Sequence, residues 1–117
     1  MMLSGEYVRK LNKKFEQVQE LATKKARQYK THEAFAAFET AARLKYGDAR
    51  YNYQYAALKD FMSKHVAHIY NNDLDGEKVS ESLTDIAVYC IIASVMFDEH
   101  YAERCHINPE DVTNANG

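Results

Sequence analysis

The sequence is poor in the residues that break or reverse a chain: four Gly and one Pro in 117 residues, with two Cys and no Trp. So few turn formers exclude a turn-rich β-sandwich, a collagenous repeat and a disordered linker protein. The two cysteines, Cys90 and Cys105, sit in no CxxC or Cys/His spacing, which excludes a zinc pattern and fits a reducing cytoplasm. Cys90 lies inside an apolar run and reads as a small core hydrophobe, whereas Cys105 reads as exposed. The opening MMLSGEYVRK lacks an apolar core of signal-peptide length, and the run from Ile86 to Phe97 is too short to span a bilayer, so a soluble intracellular protein is expected. What remains is 46% hydrophobic and 27% charged, enough for one buried core in a single all-α domain.

The formal net charge of −2 hides an asymmetry. Residues 1–30 carry eight Lys or Arg against three Glu, and residues 71–117 carry two against ten acidic residues. The basic run is interrupted by Glu6, Glu16 and Glu20 and lacks interleaved aromatics, so nucleic acid is not the expected partner; the protein's own acidic part is.

Glycines and the single proline parse the chain. From Glu6 to Lys30, Val8, Leu11, Phe15, Val18, Leu21 and Ala22 recur at three- and four-residue steps, the stripe of an amphipathic helix. Thr31 is a candidate N-cap for a second helix through Lys45, with Ala34, Phe35, Phe38, Ala41, Ala42 and Leu44 as its buried face. At Tyr46-Gly47-Asp48-Ala49, Gly47 is suited to positive φ and Asp48 to capping a third helix, whose apolar face is Leu58, Phe61, Met62, His65, Val66 and Ile69. A last helix from about Ser80 to Tyr101 has Leu83, Ile86, Ala87, Cys90, Ile91 and Phe97 on one side, with Val88, Ile92 and Val95 on the other. A helix apolar all round needs cover all round, more than three neighbours give, and a homodimer or higher homo-oligomer is expected. The tail from Asn108 to Gly117 reads as poorly ordered.

Chemistry concentrates at Glu81 and Asp85, four apart at the start of the last helix and therefore on one face. Like charges at that spacing repel, and a divalent cation between them relieves the repulsion. The run Lys45-Tyr46-Gly47-Asp48-Ala49, the helix carrying Lys64 and His68-Ile69, and then Glu81-Ser82-Leu83-Thr84-Asp85-Ile86-Ala87-Val88-Tyr89 resembles the MazG-like, nucleotide-modification-associated group of all-α nucleoside triphosphate pyrophosphatases. The resemblance covers Leu44 to Glu99. It implies a helical, dimeric fold that binds a nucleotide with Mg²⁺ and releases the monophosphate and pyrophosphate. On it, Glu81 and Asp85 are catalytic carboxylates holding the metal, with Asp48 a third candidate. The group's earlier ExxE pair is missing here: only Glu33 and Glu39 are offered, six apart, so either Glu39 acts alone with the later pair or half of the metal site is absent.

Lys45, Arg50, Lys59 and Lys64 are the candidate phosphate partners. In Arg50-Tyr51-Asn52-Tyr53-Gln54-Tyr55, read as a helix start, Tyr51 and Tyr55 share a face on which a base could stack, and Tyr53 points elsewhere. His65 and His68, three apart, and His100 and His106, six apart, form no metal pattern and read as packing or surface residues. Three functions follow in order: a Mg²⁺-dependent nucleotide pyrophosphohydrolase, a non-catalytic nucleotide- or signalling-nucleotide-binding protein, and a helical protein-interaction module.

Overall fold

In the computed structural model of the chain, residues 1–27 and 34–112 are described, and among them there is no strand. Four α-helices follow in order: α1 (Ser4–Ala26), α2 (Ala36–Tyr46), α3 (Tyr51–Tyr70) and α4 (Val79–Cys105), then a 3₁₀ turn at Pro109–Asp111. The expected all-α bundle of about four helices is the observed one. The expected N-cap at Thr31 lies outside the described residues.

Gly47 ends α2 in the left-handed region at φ 72°, its N–H bonded to the Arg43 carbonyl at 3.0 Å. Asp48 does not cap α3 as expected; Arg50 occupies the N-cap position, and the Asp48 carboxylate accepts from the Arg50 N–H at 2.9 Å, before the helix begins. Gly76 serves the α3–α4 connection by its smallness: a Cβ there would lie 2.9 Å from that of Asn72 and 3.0 Å from the Asp73 carbonyl oxygen.

The core is a cluster of Ala26, Phe38, Leu58, Val88, Tyr89, Ile92 and Met96, drawn from all four helices. Phe38, 1% exposed, sits at its centre, with Phe61 and Tyr89 edge-on at 5.9 and 6.4 Å. Helix α4 is the shared wall: α3, α1 and the 3₁₀ turn all pack on it, while α2 packs mainly on α3.

Several expectations are corrected by burial. On α4 the core face is Val88, Tyr89, Ile92 and Met96, while Leu83, Ala87, Cys90, Ile91 and Phe97 face outward, so Cys90 is an exposed thiol. Leu44, placed on the buried face of α2, is 84% exposed, because α2 ends just beyond it and none of the described elements packs over that side. Packing also continues past residue 107, with Val112 only 2% exposed against α4. By length and composition alone α4 passes as a membrane span, the helix extending the Ile86 to Phe97 run at both ends, a test that the core helix of a bundle also passes.

Phe38→Ala is expected to cost about 3–5 kcal/mol by emptying the centre of the cluster. Leu44→Ala, on the surface, should stay within about 0.5 kcal/mol of the parent. Urea unfolding followed by circular dichroism reads both.

Candidate functional site

A largely apolar cleft runs between α3 and α4. From α3 come Tyr51 and Tyr55, one turn apart; from α4 come Cys90, Ser94, Phe97 and His100, and the cleft holds about 420 Å³. Its aromatic walls are positioned by packing: the His100 ring meets Tyr51 edge-on at 5.6 Å, and Phe35 meets Tyr51 at 6.5 Å from the side of α2. Burial, then the carboxylates of Glu103 and Glu99, push the Tyr51 hydroxyl above its usual pKa, so it stays a neutral donor. Lys59 lies with its ammonium 4.7 Å over the Tyr55 ring. Tyr53 turns away, its ring tilted against Tyr46 at 5.5 Å and under the Arg50 guanidinium at 5.6 Å. The alternation of three tyrosines is thus resolved by the helix into two cleft residues and one outside it.

The expected metal ligands separate into two places. At the first, the Asp85 carboxylate lies half-buried between helices, 3.4 Å from the Lys25 ammonium of α1 and 3.6 Å from His65 Nε2 of α3. Lys25 also sits 5.3 Å over the Tyr89 ring. Glu81 is exposed one turn earlier. At the second, Glu39 and Asp48 line a shallow polar depression of about 440 Å³ with Arg43, Arg50 and Gln54. There Glu39 pairs with Arg43 at 3.1 Å and Asp48 with Arg50 at 2.7 Å. Hydrogen bonding from Arg50 holds the Asp48 carboxyl below its usual range. Gln54, 8% exposed, donates to the Ala49 carbonyl at 2.7 Å, and its buried Oε1 has no partner among the described residues. The positions facing the two places, Arg50 and His65, are separated along α3 by about 22 Å of helix rise.

Mg²⁺ takes hard oxygen ligands, and two or three free carboxylates would have to converge to hold it. Here Asp85, Asp48 and Glu39 each face a cation, and a metal at Asp85 would meet the Lys25 ammonium. Among the described residues no group of three or more His, Cys, Asp or Glu side chains is placed to hold a metal ion. This donor set does not fit the ion within one chain.

The candidate phosphate cations are scattered as well. Lys45 is bound to Asp60, which also accepts from the Tyr46 hydroxyl at 3.2 Å; Arg50 is held by Asp48; and Lys64 is exposed on α3, nearly four turns beyond Arg50. Sequence reasoning overlooked Lys25, Phe97 and the cleft role of His100. Lys25 was detectable: it falls in register with Val18, Leu21 and Ala22, a charge on the apolar stripe that must find a counter-charge.

Burial outweighs the attraction of Asp85 and holds His65 below its ordinary pKa. A base whose folded value lies below its unfolded value contributes stability that is complete above about pH 6.5 and is lost as pH falls through the folded value. Thermal melts between about pH 7.5 and 5 should therefore show a stability loss that His65→Gln reduces; an unchanged slope would assign the loss to other groups. Compared with models of known protein families, with curated proteins and with solved structures, the chain matches none.

Proposed function

We propose that the protein is a non-catalytic helical binding module whose α3–α4 cleft receives a planar ring of the nucleobase class. The observation carrying this reading is the convergence of Tyr51, Tyr55, Phe97 and His100 on one cleft of about 420 Å³, within the size range of small-ligand sites. Aromatic side chains accept the faces of bases with little regard to sequence or sugar, and each such stack contributes about 1–3 kcal/mol. Ser94 and Asn52 add polar edges to an otherwise apolar wall.

The electrostatics grade the ligand. Glu99 and Glu103 bear on Tyr51 at one end, and Lys59 lies over Tyr55 at the other. An anionic group on the ligand is directed towards Lys59, and a polyphosphate is disfavoured at the Glu99 end. Hydrolysis by Mg²⁺ in the MazG-like manner has less behind it, because the four carboxylates it would use are divided between two places and three of them, Asp85, Asp48 and Glu39, are ion-paired.

The test is a titration of the protein with adenosine, guanosine, their monophosphates and triphosphates, with and without Mg²⁺, followed by calorimetry and by product analysis. Binding independent of Mg²⁺, without product, is expected. Tyr55→Ala should weaken it by about tenfold or more, while Tyr53→Ala leaves it unchanged. Mg²⁺-dependent release of pyrophosphate would replace this reading with the hydrolase.

A further inference from the structure

We propose that the outward face of α4 is covered by the N-terminal half of α1 from a second copy of the chain, the exchange being made twice about a two-fold axis. The stripe of α1 is used only in part within one chain. Its second half enters the core through Val18, Leu21, Ala22 and Ala26. Tyr7, Val8 and Phe15 of the same stripe stay exposed, Phe15 by 64%, and Ala26 is the one buried residue among those of α1. Opposite in character is α4, whose Leu83, Ile91 and Val95 lie open over about three turns although the helix is central to the fold. Two apolar helix faces of comparable length are thus left uncovered in the same molecule.

The quantity of exposed surface matches a dimer. The chain exposes 8697 Å², whereas a folded monomer of its mass exposes about 6,500 Å². The surplus of roughly 2,000 Å² exceeds the ~800 Å² that each partner contributes to a standard interface, and lies in the range of obligate ones. The radius of gyration, 16.4 Å, likewise exceeds the roughly 13 Å of a compact chain of this length.

Charge selects the pairing. Around the α1 stripe stand Arg9, Lys10, Lys13 and Lys14 against Glu6 and Glu16, so α1 against α1 would set like charges together. Around α4 stand Glu81, Asp98, Glu99 and Glu103 against Arg104 alone, so α4 against α4 would do the same. Only α1 on α4 joins opposite signs, and an isologous dimer makes that contact twice. The contact lies beside the cleft, not in it: Phe15 and Val95 are not among the cleft residues.

Sedimentation of the full chain and of two surface variants, Phe15→Glu and Val95→Glu, tests the pairing. The parent should be dimeric, and each variant alone monomeric with unchanged helical content, since both positions face solvent in one protomer. Mixing the two variants should restore dimer, because one of the two exchanged contacts is then wild type on both sides. A monomeric parent, a dimeric Phe15→Glu protein, a dimeric Val95→Glu protein, or a mixture that stays monomeric would each overturn the pairing, as would binding of the parent to phosphatidylcholine vesicles in place of dimer. If either charge disturbs folding, Tyr7→Ser and Ile91→Ser serve as the milder pair with the same expected mixing result. Nucleoside binding by monomeric Phe15→Glu would leave the cleft reading standing whatever the pairing does.

Discussion

The structure depends on one constraint: α4 is apolar on every side and must be covered on every side. Packing Val88, Tyr89, Ile92 and Met96 against α1 and α3 removes one half of that surface from water. Each large aliphatic side chain so buried contributes about 1.5–3 kcal/mol, which a chain whose two cysteines are both free has few other ways to obtain. The other half cannot be covered by the remaining helices, since α2 is short and is engaged with α3. Both the cleft and the open α4 face are consequences of this shortage of cover.

The same constraint explains the placement of charge. A carboxylate at Asp85 faces the interior because residue 85 falls on the side of α4 that meets α1 and α3, and a half-buried charge there is tolerable with a cation beside it. Lys25 is that cation, in the last turn of α1. The acidic helix start that reads as a metal site in one dimension becomes, in three, an ion pair tying the first and last helices together. His65, held neutral by burial, packs its ring against Tyr89 at 6.1 Å and adds no second charge at neutral pH.

What was legible in the sequence was whatever depends on local chain chemistry. Helical periodicity marked α1, α3 and α4, and Gly47 marked the left-handed end of α2, because these follow from residues close together. The face choice on α4 was not legible: a helix apolar all round carries no moment to say which side is inward, and the decision is made by α1, α3 and the 3₁₀ turn. Its C-terminus was obscure for a similar reason, since His106 takes the left-handed position at φ 54° where a glycine would have signalled the stop. Tyr51 and Tyr55 were legible as a shared face, but His100 and Phe97 opposite them were not, because they lie about 45 residues away along the chain and meet the tyrosines only through packing. The pairing of Asp85 with Lys25 is long-range in the same sense.

The open face of α4 can be given a reporter. In a Cys90→Ser, Ala87→Cys protein one thiol stands between Leu83 and Ile91 on that face, outside the cleft, and Cys105 stands near the end of the helix, both positions being exposed in one protomer. The rate at which a maleimide labels each thiol, measured over a wide range of protein concentration in the absence of any ligand, tests most directly whether that face is covered. The account predicts that the thiol at position 87 becomes slower to label than Cys105 as concentration rises and recovers on dilution. Labelling at position 87 at a rate independent of concentration would contradict it.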